Sequence, residues 1–146
     1  RLIQMDERRA RRKPPSKPDP ADSEAPVLKA VGDLLARHPL VLFALRQNSG
    51  AMAYENKAGQ MVPVWFYKVL RQPAGEWLTV TDYTGFLKDG RPFAIECKRP
   101  SFEAPSSPLE QRQEAFMAMV REINGVGGFA RSVDEAQEII EGRLTA

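Results

Sequence analysis

The sequence predicts an α/β domain with a mixed central sheet flanked by helices, and three observations carry this prediction. Segments with helical and with strand-like apolar spacing follow one another along the 146 residues. Asp89-Gly90, between two strand-like segments, is a strong hairpin signal. Ser107-Pro108-x-Glu110 marks the start of a helix between the second of those strands and a further short strand. The predicted order of elements is α-β-(hairpin)-β-β-α-β-α.

The first predicted helix begins near Asp22 or Ser23, either of which could cap it. It ends at His38-Pro39, because the residue before a proline avoids helical geometry. Its apolar stripe at helical spacing comprises Val27, Leu28, Val31, Leu34 and Leu35. One face of this helix is therefore expected to be buried.

Four strand-like segments follow the first helix. Residues 41–45 are a short apolar run suited to a buried strand. Residues 51–55 and 61–70 flank a turn at 56–59, which predicts an inserted hairpin. Residues 77–82 alternate in hydropathy and are predicted as the strand that enters the Asp-Gly hairpin.

The rest of the chain is expected to continue as strand, helix, strand and helix. Residues 92–99 form the strand that returns across the hairpin turn. The next helix is predicted over 108–123, up to an Asn-Gly stop signal. A short strand at 128–131 and a last helix through residue 144, capped by Ser132, complete the predicted fold.

Residues 1–21 are predicted to be a flexible, basic, proline-rich arm, and residues 22–146 to be one domain. The formal net charge of the chain is +2, but residues 1–17 contain seven basic and two acidic residues, which leaves the remainder at −3. The basic residues are Arg1, Arg8, Arg9, Arg11, Arg12, Lys13 and Lys17. Either this arm contacts nucleic-acid phosphates, or it is a solvated tail with no task of its own.

Composition argues against several classes of protein. No apolar run approaches the ~20 residues of a membrane-spanning helix, and no apolar segment follows the basic start as in a secretory signal. Cys97 is the single cysteine and His38 the single histidine, so neither an internal disulfide nor a zinc site of these residues is expected. The sequence therefore predicts a cytoplasmic protein in a reducing compartment, without contact to a membrane.

Two acids and a lysine around the hairpin carry the predicted chemistry. Side chains alternate along a strand, so Glu96 and Lys98 are expected on one face and Cys97 on the buried face. The hairpin should bring Asp82 beside them. Carboxylates grouped in this way suit Mg²⁺, with the Cys97 carbonyl oxygen as a further possible ligand. Such a metal would polarise a scissile phosphate and lower the pKa of an attacking water. Lys98 would either orient this water or neutralise the negative charge that develops during the reaction.

Gln113 gives an independent indication of a polar site. It lies in the middle of an apolar helical stripe, where an amide is costly if it is left unpaired. The other members of the stripe are Leu109, Phe116, Met117, Val120 and Ile123. Glu24 is likewise an acid on the apolar side of the first helix. Both side chains are better explained by a polar site than by core packing.

Asp82, followed fourteen residues later by Glu96-x-Lys98, resembles the PD-(D/E)-x-K nuclease signature. More narrowly, residues 22–142 are similar to the virus-type replication-repair nuclease (VRR-NUC) domain. The matching pieces are Arg46-Gln-Asn-Ser-Gly50, Asp82, Gly90-Arg-Pro-Phe-Ala-Ile-Glu-Cys-Lys-Arg-Pro100, Gln113-x-x-Phe116 and Gly127-Gly-Phe-Ala-Arg-Ser-Val133. The resemblance implies a restriction-endonuclease-like core in αβββαβ order with an inserted hairpin.

The resemblance also implies a Mg²⁺- or Mn²⁺-dependent DNA endonuclease without a nucleotide cofactor. It assigns Asp82 and Glu96 as metal ligands, Lys98 as the catalytic lysine and Gln113 as the helical site residue. Glu24 matches an acid that many members carry on the first helix. Stand-alone members resemble resolvases of branched DNA from phages or bacteria, and they are often homodimers.

Other readings of the sequence remain open. Asn48 and Ser49 either approach DNA or only form a turn, and Arg99 either binds phosphate or is a surface charge. The arm residues Arg8, Arg9, Arg11, Arg12 and Lys13 are the further candidate DNA contacts. Within the same fold, a nuclease acting on flaps or plain duplex is the alternative. From another class, the alternative is a nuclease-fold module that binds DNA without cutting it.

Overall fold

The computed structural model describes residues 19–47, 50–66, 69–71 and 78–143. Within these residues there are three helices and six strands. The helices are α1 (Glu24–Arg37), α2 (Pro108–Glu122) and α3 (Val133–Ile140). The strands are β1 (Val41–Arg46), β2 (Gly50–Glu55), β3 (Met61–Phe66), β4 (Tyr83–Leu87), β5 (Pro92–Cys97) and β6 (Val126–Ala130). None of the helices in this part of the chain combines the length and the apolar composition needed to span a membrane.

The central sheet has the order β1-β4-β5-β6 and is mixed, as predicted. β1, β4 and β5 pair antiparallel, and β6 runs parallel to β5. The antiparallel pair β4–β5 is joined by the predicted Asp-Gly turn, in which Gly90 has φ +92° and Asp89 accepts a hydrogen bond from the Arg91 N–H. This turn fully accounts for the acid at Asp89.

Helices cover both faces of this sheet. One face packs on α1 and α3, through side chains such as Val31 and Ile139. The other face packs on α2, where Ala94 of β5 meets Met117 and Val120. Cys97 belongs to the core on the α1 and α3 side and is fully buried, which confirms that it fills the core. Glu96, its neighbour in the strand, therefore faces α2.

In sequence, the hairpin of β2 and β3 lies between β1 and β4, and it forms a two-stranded sheet of its own. Its turn is tight because the Asn56 Oδ1 accepts from the N–H groups of Ala58 and Gln60, and Gly59 takes φ +76°. The inserted hairpin is confirmed. The sequence predicts its second strand up to residue 70. The structure describes this strand over Met61–Phe66, residues 67 and 68 lie outside the described residues, and residues 69 and 70 are not in a strand.

The predicted strand at 77–82 is wrong for its described part. Residues 78–82 are not in a strand, although Leu78 and Val80 are buried and Thr79 between them is less so. Thr81 is also fully buried, so burial in this irregular segment does not follow the alternation in the sequence. The Thr79 N–H reaches the Arg112 carbonyl at 3.4 Å. The sheet strand starts only at Tyr83.

The end of the chain also differs from the prediction. The short strand runs over Val126–Ala130 rather than 128–131. The last helix ends at Ile140 rather than near residue 144, because Gly142 adopts φ +72° and its N–H bonds back to the Ile139 carbonyl.

The predicted arm lies outside the described residues up to residue 18, as do Asn48 and Ser49. The candidate DNA contacts that fall there are Arg8, Arg9, Arg11, Arg12, Lys13, Asn48 and Ser49.

Candidate metal centre

Asp82 and Glu96 converge at the end of the central strands, as the hairpin predicts. Asp82 lies just before β4, and its backbone N–H donates to the Glu96 Oε2 at 2.8 Å. In return, the backbone N–H of Cys97 donates to the Asp82 Oδ2 at 2.9 Å. The two carboxylates are therefore placed by main-chain groups of neighbouring strands, which hold their positions firmly relative to the sheet.

Glu24 joins these two acids from the first residue of α1. Carboxylate oxygens of Glu24, Asp82 and Glu96 all lie within 4.8 Å of one another. Oxygen ligands on opposite sides of one hard divalent cation are about 4 to 5 Å apart, because each bond measures roughly 2.0–2.6 Å. The spacing and the chemistry of the three donors therefore fit such a cation. Glu24 is exposed, Asp82 partly buried and Glu96 buried, so the cluster opens towards solvent on the α1 side.

The electrostatics of the cluster favour an added positive charge. Burial is the larger cause, and the negative charge of Asp82 the next, of a pKa of Glu96 raised to about 8. Partial burial also raises the pKa of Glu24, and the charge of Asp82 acts in the same direction. These acids thus lose water and repel one another, two costs that a bound cation offsets.

Gln113 points inward from α2, as predicted, and it contacts the cluster directly. Its side chain is 3% exposed, and its Nε2 donates to the Glu96 Oε1 at 2.8 Å. The Gln113 Oε1 is buried and has no hydrogen-bond partner among the described residues. An amide kept in this position orients the buried carboxylate, although one of its own polar atoms is left without a partner.

Lys98 lies on the same side of β5 as Glu96, which confirms the predicted alternation. Its Nζ is 3.8 Å from the Glu96 Oε1 and 3.4 Å from the Glu110 Oε2. The rings of Phe102 and Phe129 lie beside it, with centroids 5.7 and 5.8 Å from the Nζ. The side chain is only 12% exposed, so Lys98 is an enclosed cation next to the carboxylates.

The sequence predicts Glu110 only as a helix cap, and its contact with Lys98 was missed. The capping box is present: the Ser107 Oγ accepts from the Glu110 N–H, and the Glu110 Oε1 accepts from the Ser107 N–H. Hydrogen bonds from the backbone of Ser107 are the largest cause of a lowered pKa of Glu110, about 2. A signal was available, because Glu110 and Gln113 are three residues apart on one helix and so share a face.

Arg46 also lies at the site, and its position beside Asp82 is not predicted from the sequence. It lies in a stretch that matches the family, but the resemblance assigns it no role. At the end of β1 its Nη1 is 3.5 Å from the Asp82 Oδ1, and its guanidinium lies 5.5 Å from the Tyr83 ring centroid. The cross-strand pairing of Arg46 with Tyr83 brings it there, a proximity that no local motif reveals.

Two predicted site groups lie differently. In the described part of the chain, Arg99 contacts Ser101 and Asp22 at the start of α1 rather than the carboxylates, so its role as a DNA contact stays a prediction. Cys97 reaches the site through its N–H, and its carbonyl oxygen as a metal ligand also stays a prediction. Burial raises the pKa of the Cys97 thiol far above its ordinary value, which makes the thiol unreactive.

The resemblance to the nuclease family rests on short motifs of the sequence. Comparison of the chain with protein-family models, with curated proteins and with solved structures finds no match. The geometry around Glu96 therefore carries the functional interpretation.

Proposed function

We propose that this protein is a Mg²⁺- or Mn²⁺-dependent DNA endonuclease that hydrolyses phosphodiester bonds in branched or structured DNA. The observation that carries the proposal is the cluster of Glu24, Asp82 and Glu96, whose oxygens lie within 4.8 Å of one another beside the enclosed Lys98. Carboxylates grouped closely enough to hold a divalent cation, with a lysine beside them, are groups that metal-assisted phosphodiester hydrolysis can use.

The arrangement of elements supports assigning the fold to the PD-(D/E)-x-K core, and within it to the VRR-NUC type. The order α1, β1, β4, β5, α2, β6 corresponds to the αβββαβ order of that core, with the β2–β3 hairpin inserted after its first strand. Asp82 precedes the strand that pairs with the strand of Glu96 and leads to Lys98. This is the relation that the nuclease signature expects.

In the proposed enzyme, Asp82 and Glu96 hold the metal and Glu24 adds a third carboxylate from α1. When bound, Mg²⁺ or Mn²⁺ supplies a Lewis acid for a phosphate oxygen and lowers the pKa of a water. Gln113 keeps the Glu96 carboxylate in one orientation through the bond to its Oε1. Lys98 provides positive charge where negative charge develops during attack on phosphorus.

DNA binding and assembly belong to the same proposal. The basic residues of the arm would contact phosphates without reading the sequence of bases. We also propose a homodimer, since two copies could cut two strands of a branched substrate, and sedimentation of the purified protein tests this.

A cleavage assay tests the proposed function. The purified chain is incubated with a four-way junction, a 5′-flap or a linear duplex, each with Mg²⁺, Mn²⁺ or EDTA. We expect metal-dependent cleavage, fastest with the junction, and a loss of at least about 100-fold in the variants Lys98→Ala and Asp82→Asn. Asp89→Asn is the matched control, because it neutralises an exposed carboxylate in the β4–β5 turn and should retain full rate.

The possible outcomes separate the alternatives. Cleavage of the flap or the duplex in preference to the junction would leave the enzyme class intact and change its substrate. Metal-independent binding to DNA without any cleavage would favour a nuclease-fold binding module. Full activity of Lys98→Ala would contradict the role given to this lysine.

A further inference from the structure

We propose that Glu110 is a positioning residue that fixes the ammonium group of Lys98 beside the metal centre. The inference rests on the proposed nuclease function, and it adds a residue that neither the motif nor the helix-capping role of Glu110 assigns to the reaction. It starts from the two carboxylates that contact Lys98, Glu96 at 3.8 Å and Glu110 at 3.4 Å.

The two carboxylates differ in what metal binding does to them. Glu96 is in the cluster with Glu24 and Asp82, so a bound cation would share its negative charge and weaken its attraction for Lys98. Glu110 is not in this cluster. Its attraction for the ammonium group therefore persists in the metal-bound enzyme, in the state in which the position of Lys98 matters for the reaction.

A lysine needs such a partner, because its flexible four-carbon stem loses rotamer entropy when the ammonium group is held in one place. The rings of Phe102 and Phe129 restrict Lys98 from the side and leave its side chain 12% exposed. Aromatic rings leave the ammonium group free to move as the side chain extends or folds back, whereas a carboxylate holds it at one place. Glu110 supplies the directed contact.

Glu110 is itself held rigidly by the start of α2. One oxygen, Oε1, accepts from the N–H groups of Ser106 and Ser107 at 3.3 and 3.2 Å, while the other, Oε2, faces Lys98. The capping box and the lysine contact therefore use different oxygens of one carboxylate. The helix terminus, anchored against the sheet, sets the position of the ammonium group.

Because the helix cap and the contact with Lys98 use different oxygens of Glu110, substitutions can test these two roles separately. Glutamine also serves at this position of a capping box, so Glu110→Gln should keep the cap and lose the charge that attracts Lys98. Ser107→Ala removes the hydroxyl that accepts from the Glu110 N–H, so it should lower the melting temperature while the Glu110 carboxylate remains. If Glu110 served only as a helix cap, Ser107→Ala should reduce activity more than Glu110→Gln.

Steady-state kinetics on the preferred DNA substrate tests the inference. We expect Glu110→Gln to lower kcat by about 10- to 100-fold with little change in KM or thermal stability, because misplaced catalytic groups reduce rate rather than binding. Ser107→Ala should keep kcat and lower the melting temperature. When Lys98 is already replaced by alanine, Glu110→Gln should not lower kcat any further, because the ammonium group that Glu110 positions is then absent. An unchanged kcat in Glu110→Gln, or a full additional loss in the double variant, would overturn the inference.

A second measurement does not depend on activity. In protein with ¹³C-labelled lysine side chains, the Lys98 ε-CH₂ signal, identified by its loss in Lys98→Ala, should report an ordered group in the wild type and in Ser107→Ala and a mobile one in Glu110→Gln. If the wild type cleaves no DNA, the proposed function fails while this result still decides whether Glu110 holds Lys98. Equal order of the Lys98 signal in Glu110→Gln would refute the positioning role.

Discussion

The carboxyl group of Glu96 is buried between the backbone of Asp82 and the amide of Gln113. Burial, and after it the neighbouring charge of Asp82, raise its pKa from an ordinary 4.5 to about 8. Without a cation the folded protein therefore binds a proton at Glu96 that the unfolded chain has already released. The site of the proposed chemistry is thus also a site where pH acts on stability.

The sign of this effect follows from the direction of the shift. Between the unfolded pKa near 4.5 and the folded pKa near 8, the folded state holds the additional proton, so the free energy of unfolding falls as pH rises. We expect wild-type protein in EDTA to lose stability across this window relative to Glu96→Gln, whose amide cannot ionise. The largest possible slope for one group is about 1.4 kcal/mol per pH unit.

Urea unfolding of both proteins at several pH values between 5 and 8 measures this difference. Because the two chains share every other titrating group, their difference isolates Glu96. Adding Mg²⁺ should restore more stability to the wild type at pH 8 than at pH 6, since the ion competes with the proton. Parallel pH profiles for the two proteins in EDTA would contradict the prediction.

Among the elements, β4 is the strand that joins the outer strand β1 to the strand of the site. It contains Gly85, paired with Ala44 of β1. A Cβ at this position would lie 2.1 Å from the Phe43 carbonyl oxygen and 2.8 Å from the ring of Phe93. The absence of a side chain at Gly85 therefore permits both the close approach of the strands and the packing of a fully buried phenylalanine.

Gly85→Ala should for this reason lower the free energy of unfolding by at least about 3 kcal/mol, because the clash involves backbone and a ring enclosed in the core. Gly90→Ala is the comparison: nothing lies within 4 Å of its Cβ, and only the positive φ costs about 1–2 kcal/mol. Thermal and urea denaturation of both variants measures whether Gly85→Ala is the less stable of the two. A Gly85→Ala variant as stable as Gly90→Ala would show that β1 and β4 can separate freely.

The elements also show what the sequence can predict. The alternation at Glu96 and Lys98, the turn at Asp89-Gly90 and the inward Gln113 depend on short-range periodicity, and the structure confirms their placement. The strand prediction at 78–82 is wrong because Leu78, Val80 and Thr81 are buried there without strand pairing. The second role of Glu110 was missed because it depends on the packing of α2 against the end of β5.

For the whole molecule, the distribution of charge matters more than its sum. The net +2 divides into a basic segment of +5 at residues 1–17 and a remainder of −3. Glu24, Asp82 and Glu96 supply part of the negative charge, so one bound divalent cation would bring the domain closer to neutrality. If the protein acts on DNA as proposed, a domain of this charge would depend on contacts elsewhere for its attraction to the phosphates.

Deleting residues 1–17 should therefore weaken DNA binding and flatten its dependence on salt concentration, while metal-dependent cleavage at saturating DNA stays intact. Binding of the full and the shortened chain to the same junction at about 50 and 200 mM salt measures both effects. Equal affinity at the lower salt concentration would mean that the arm is a solvated tail.

In the proposed metal centre, the reciprocal backbone bonds at Asp82 and Glu96 would influence which cation binds. The Cys97 N–H occupies the Asp82 Oδ2, and the Asp82 N–H occupies the Glu96 Oε2. Each carboxylate therefore has one oxygen engaged by the main chain, which disfavours bidentate coordination. Ca²⁺ reaches its six to eight ligands in part through bidentate carboxylates, whereas Mg²⁺ takes six in an octahedron and keeps several waters. Monodentate ligands fixed by the sheet would thus favour the smaller ion and leave its remaining coordination positions to water and phosphate.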